Sequence, residues 1–211
     1  MNTFKVLDGF MDGYVAVSGF VRQFLQNTYG LEAPVIHPFL EYANLSEPAA
    51  WSDRDPALVV VYTKAAIPAK PLVDALLARL GARHPGLPVR FHLVQRGIPH
   101  VDLMAQLART RYVVALSPLE GFGLFPLEAM ASGCAVVGFH GGGGLDYMTA
   151  QNSRVVPYPR LDEVVDQLAA VVRDQALAQA LAAQGRVDAR QFTRERFEAA
   201  WIDHLRGFLA R

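Results

Sequence analysis

One cysteine, Cys134, stands in 211 residues, so no disulfide can close within the chain. Basic and acidic residues balance at 20 each, and no basic block occurs. That balance disfavours a general electrostatic grip on nucleic acid, and no nucleic-acid partner is expected. No apolar run approaches membrane-spanning length, and the first residues show no secretory signal pattern. The cytoplasm is therefore the expected compartment. The six histidines have no metal-ligand spacing: H-E-x-x-H and C-x-x-C are both absent. No metal is expected. A G-x-S-x-G elbow and a P-loop are missing too. What is present is a chain 52% hydrophobic and 19% charged, a composition that supports a substantial core and argues against disorder. The length suits one domain, or one domain and a fragment.

The pattern is that of an α/β fold, a Rossmann-like, mostly parallel sheet flanked by helices. Residues 58–62, 89–94, 112–116 and 135–137 are short apolar runs of buried-strand type. Residues 14–17 read as a further short strand, and 154–156 as an edge strand. Helices are expected at about 71–80 with a stop at Gly81, at 101–108, over 161–183 as one or two segments, and after Thr193. Ser18 suits a helix N-cap and Gly30 a stop. Residues 45–57 read as a polar, proline-containing connection. Phe197, Trp201, Leu205 and Phe208 form one apolar stripe on the last helix, which suits packing.

The most informative stretch is S-P-L-E-G-F-G-L-F-P-L-E-A-M-A-S-G-C-A-V-V, residues 117–137. It reads as loop, helix and next strand. In open α/β sheets, ligands bind where such loops leave the carboxyl ends of strands. Pro126 suits the first turn of a helix, where no amide donor is needed, and Gly133 the residue past the helix end. Amides around Gly123, Leu124 and Phe125 would lie at the positive end of the helix, where a phosphate can be received. Gly121 and Gly123 allow close approach to the backbone. Glu120 in the loop and Glu128 in the first helical turn add two carboxylates, which make strong hydrogen bonds with hydroxyls. An anion site beside two carboxylates suits a nucleotide sugar. Taken singly, these residues have plainer readings. Glu128, if Pro126 is the first helical residue, is the third and would cap free amides; Glu120 would be a solvated loop acid; the glycines would serve a turn.

Together they resemble the E-x7-E signature of family-four glycosyltransferases of the GT-B fold, S-x-x-E-G-F-G-L-x-x-L-E-A-M-A-x-G-x-P-V-V, with Ala135 at the usual proline. The resemblance implies that Glu120 faces the donor sugar as the catalytic-site carboxylate and that Glu128 binds the ribose hydroxyls. It implies that the backbone of Gly121, Phe122, Gly123 and Leu124 holds sugar and diphosphate. Lys64 and Lys70 stand near the places of the family's diphosphate-gripping Arg and Lys. The alternative for both is two solvated loop lysines. Gly138 to Tyr147 resembles the family's G-G-x-x-E loop, with Asp146 in place of Glu. This makes His140, Gly142, Gly143 and Asp146 a candidate site loop, with a plain flexible turn, or a helix-capping role for Asp146, as the alternatives.

By this resemblance, residues 1–35 correspond to the tail of an N-terminal acceptor domain, 36–190 to the nucleotide-sugar donor domain, and 191–211 to a C-terminal packing helix that residues 1–35 would receive. The implied reaction is sugar transfer from a nucleoside-diphosphate sugar with retention of configuration and without a bound metal or other cofactor. The acceptor is unspecified: a glycan, a lipid-linked glycan or a small molecule. A separate acceptor-binding domain or subunit is an expected partner, and contact with the membrane would come only through an acceptor or partner. Two alternatives stand beside this: a non-catalytic nucleotide-sugar-binding subunit, and, fitting less well, a sugar-nucleotide epimerase.

Overall fold

The computed structural model describes residues 11–63, 69–94 and 97–210. Lys64 falls outside them. Five strands form one sheet: β1 (Asp55–Tyr62), β2 (Arg90–Leu93), β3 (Thr110–Ala115), β4 (Ala135–Phe139) and β5 (Ser153–Val156). Their order is β2-β1-β3-β4-β5, and every neighbouring pair is parallel. Parallel strands need crossovers, and helices supply most of them here. The helices are α1 (Gly19–Tyr29), α2 (Ala69–Arg83), α3 (His100–Leu107), α4 (Leu124–Ala131), α5 (Leu161–Arg173), α6 (Gln175–Ala189) and α7 (Arg194–Leu209).

The central strands are apolar on both sides because both sides are covered. Val59, Val61, Tyr112, Val114 and Val137 pack in one core with Leu76 of α2 and Leu168 of α5. Val60, Val113 and Val136 belong to the opposite core with Met104 of α3 and Met130 of α4. Each such fully buried side chain contributes roughly 1.5–3 kcal/mol relative to exposure. The continuous Val-Val-Val of β1 thus feeds two cores by period-two alternation.

Several boundaries differ from the sequence expectation. β1 starts at Asp55, inside the expected connection, where Asp55 Oδ1 accepts from the amides of Ala57 and Leu58 and pairs with Arg90. That pairing and those bonds hold the Asp55 carboxyl down at about 2. Residues 14–17 form no strand; Ala16 makes only an isolated parallel bridge to Val35. Ser18 caps α1, its Oγ accepting from the Val21 amide, and Gly30 ends it with φ 70°. Residues 161–189 form two helices, broken at Asp174, which caps α6 through Leu177. Thr193 caps α7. The α7 stripe lies along residues 12–17 and lines a cleft of ≈ 600 Å³ that includes Val15, Val17, Trp201 and Phe208.

Gly81 does not stop α2, which runs on to Arg83. A Cβ added there meets nothing within 4 Å. Gly81→Ala should therefore stabilise the fold by about 0.5–1 kcal/mol and raise Tm by roughly 1–4 °C. A lower Tm in thermal unfolding would show that the position is not free.

Candidate functional site

In a sheet of this order the crossovers leave in opposite directions from β1 and β3, and a crevice opens at their carboxyl ends. Tyr62 ends β1, and the signature loop follows β3. The Tyr62 ring stacks on Phe125 of α4 at 4.1 Å, which fixes the helix start against the crevice. Thr63 Oγ1, next to Tyr62, is buried with no hydrogen-bond partner among the described residues.

α4 begins at Leu124, two residues before Pro126. Its N-cap is Gly123, which makes no side-chain cap bond. The first-turn amides therefore rely on groups from outside the helix. Pro126 is the third helical residue, where its missing donor still costs nothing. Glu128 is consequently the fifth residue, in the second turn, and not a first-turn carboxylate. It cannot cap the helix amides as a third residue would. At the far end the Gly133 amide donates to Met130 O at 2.8 Å and the Cys134 amide to Ala129 O at 2.9 Å. This is a Schellman closure, and it requires the left-handed conformation that Gly133 adopts at φ 71°. Cys134 is buried, its Sγ lies 3.3 Å from Leu107 O, and burial pushes its thiol up to about 12.

The second loop packs directly on the first. The Glu120 amide donates to Gly141 O at 2.7 Å, and the Gly143 amide to Glu120 O at 3.1 Å. Glu120 and Gly142 thereby form a parallel bridge. A Cβ at Gly143 would lie 2.2 Å from Gly121 O. The glycines are thus a contact surface between two loops, buried and hydrogen-bonded, and not a loosely held turn. His140 Nδ1 accepts from the Gly142 amide at 3.1 Å, and burial lowers its pKa. That bond uses the neutral ring with its proton on Nε2.

Asp146 caps a helix, but not the one that follows it. Its Oδ2 accepts from the Gly19 amide at the start of α1 at 2.8 Å and lies 2.8 Å from His37 Nε2. Ser18 Oγ donates to Gly121 O at 2.5 Å. Residues 18–37 are therefore stitched to both loops.

Tyr147 sits at the centre. Its hydroxyl donates to Gly123 O, the cap of α4. Burial holds its pKa well above normal, and the carboxylates of Glu120, Glu128 and Asp146 push the same way, in that order. Glu128 also meets His100, the first residue of α3, with Nε2 2.9 Å from Oε1. Burial raises the Glu128 pKa, and the His100 bond opposes the rise.

Phe122 turns inward, packing at 5.5 Å from the His37 ring and 5.2 Å from Tyr147, so its side chain serves the core. Lys70 is the second residue of α2, 83% exposed and ion-paired with Asp74 at 2.6 Å. The sequence reading missed His100, Tyr147, Ser18 and His37. Only Ser18 carried a signal, as a cap. No cluster of three or more potential metal ligands occurs among the described residues, and no described helix is long and apolar enough to cross a membrane.

Comparison with known structures extends this architecture. S. aureus TarM, solved as a variant with fondaparinux, α-GlcNAc-glycerol and UDP, superposes with a TM-score of 0.76 at 17% identity, over 93% of this chain and 44% of TarM. Sucrose-phosphate synthase from Thermosynechococcus elongatus gives 0.66 at 16% identity, over 93% of this chain and 58% of the synthase. The C-terminal domain of the group 1 glycosyl transferase LpcC from Francisella tularensis gives 0.56 at 18% identity, over 69% and 94%. The chain thus spans less than two thirds of the first two, and its parallel α/β sheet matches the GT-B architecture. No curated protein sequence matches significantly. The model of the family described as glycosyl transferases group 1 matches residues 82–188, from α2 through α6 and with the whole signature inside it. Since that is just over half of the sequence, the chain belongs to the glycosyl transferases group 1.

Proposed function

We propose that residues 36–190 bind a nucleoside-diphosphate sugar and that the chain is the donor half of a glycosyltransferase. One observation carries the reading. The start of α4, whose cap Gly123 makes no side-chain bond, opens at the β1/β3 crevice, with Glu120 in the loop just before it and Glu128 in its second turn. In this reading the α4 amides and the backbone from Gly121 to Leu124 hold the diphosphate and sugar. Lys64 and Lys70 add charge, Glu120 orients the sugar, and Glu128 accepts from the ribose hydroxyls. His140, Gly142, Gly143 and Asp146 form the wall behind the loop. The bond from the sugar's anomeric carbon to the diphosphate breaks, with the electron pair leaving on the phosphate oxygen. The acceptor oxygen bonds to that carbon, and its proton passes to the departing diphosphate oxygen. Helix-end amides and lysines stabilise the charge that grows on the leaving group. Retention of configuration, and transfer without a metal, belong to this proposal.

The chain covers 44% of TarM, so transfer is proposed for a chain or assembly that also presents the acceptor. Residues 1–35 would belong to the acceptor side, and α7 would close the module.

Calorimetric titration with UDP, GDP, ADP and dTDP tests the donor site. One of them should bind clearly more tightly than the others; no binding by any, in folded protein, removes the reading. Lys70→Ala should cost roughly five- to tenfold for that diphosphate and little for the matching nucleoside. The Asp74 pair does not prevent this, since an exposed i,i+4 pair is worth only about 0.3–0.5 kcal/mol. Equal losses for both ligands would exclude a phosphate contact.

A further inference from the structure

We propose that His100 is a positioning residue for Glu128, holding one carboxylate oxygen so that the other meets the ribose hydroxyls in a fixed orientation. The inference rests on the donor-site reading and names a residue that reading lacks. Glu128 sits on a short helix whose neighbours Leu127, Ala129 and Met130 are all buried. Its own side chain is only 16% exposed. A carboxylate so enclosed is held by few groups, and the hydrogen bond found here comes from His100 Nε2 to Oε1 at 2.9 Å. His100 belongs to a different crossover, at the first turn of α3 directly after Pro99. Two independent pieces of backbone therefore converge on one carboxylate.

The chemistry asks for such a partner. A ribose diol offers two hydroxyl donors, and their discrimination needs an acceptor fixed in direction. A Glu side chain has three rotatable bonds, and leaving them free would spread its oxygens over many positions. An imidazole N–H on Oε1 removes that freedom and leaves Oε2 for the ligand. It also compensates part of the cost of enclosing the charge. The imidazole itself is about half exposed, so it stands at the mouth of the site and not in the core.

The test uses the nucleoside diphosphate that the unaltered chain binds best, and its 2′,3′-dideoxy counterpart. His100→Ala should weaken the first about tenfold and the second by less than twofold, so that hydroxyl discrimination shrinks. His100→Gln, whose amide can donate from nearly the same place, should restore most of the affinity. Both variants should melt within about 2 °C of the parent. Unchanged discrimination in His100→Ala, equal losses for both ligands, or no recovery with Gln in a folded protein would each overturn the inference. Those outcomes leave the donor site standing. Failure of the parent chain to bind any nucleotide would remove both.

Discussion

Glu128→Gln should lose about 100-fold in affinity for the nucleoside diphosphate, a change of about 2.7 kcal/mol, while the fold becomes no less stable. The amide keeps an oxygen for His100 but has no second acceptor and no charge for the ribose hydroxyls. Charge-assisted hydrogen bonds of this kind contribute about 1.5–3 kcal/mol each. The stability half follows from the direction of the carboxyl shift. Burial raises the Glu128 pKa in the folded chain. Between the ordinary and the raised value the native state binds more protons than the unfolded one. Native stability therefore falls as pH rises through that window, and the loss is complete above it. At neutral pH the ionised Glu128 is a cost, which Gln does not carry. The variant should melt at or slightly above the parent at pH 7, and the difference should shrink on acidification. A clear drop in Tm with unchanged nucleotide affinity would make Glu128 a structural residue.

Gly143→Ala should destabilise the fold strongly. The added Cβ would sit 2.2 Å from Gly121 O, 2.5 Å from Gly121 C and 2.6 Å from Phe122 Cα. All three are backbone atoms, so no side-chain rotation relieves the clash. One of the two loops must move, and each is tied to the other by the Glu120 and Gly143 amides. A destabilisation of about 3 kcal/mol or more is expected, with Tm lower by about 6–12 °C. Nucleotide affinity should fall with it, since the displaced segment is the signature loop. A variant melting within 2 °C of the parent would mean that the loops are not in contact in solution.

How much of this was legible in the sequence differs by element. β1, β3 and β4 could be read because a strand covered on both faces must be continuously apolar. The signature could be read because its residues are consecutive. The start of α4 near Gly123 and Pro126 in its first turn could be read as well; the place of Glu128 in the second turn could not, because the cap, Gly123, contributes no side chain to mark the exact first residue. The sequence predicts a stop at Gly81, but glycine's weak helix preference is a prior that packing overrides, and α2 lies on α5 through its last turns. The links that define the candidate site join residues far apart: His100 with Glu128, Asp146 with Gly19 and His37, Tyr147 with Gly123. Periodicity reports a residue's own element and has nothing to say about which loop will lie opposite. Asp146 could be guessed as a cap from its type; the helix it caps could not.

That cap has a bearing on how the molecule is made. The carboxylate that receives the first amide of α1 lies 127 residues later in the chain. Closing so long a loop adds little to the cost of folding, because that cost grows only with the logarithm of length. It sets an order instead. During synthesis Gly19 emerges long before Asp146, and by then four of the five strands have been made. The loop that carries Glu120 and the helix lodged against it can meet only after most of the sheet exists, so the candidate site is a late product of translation.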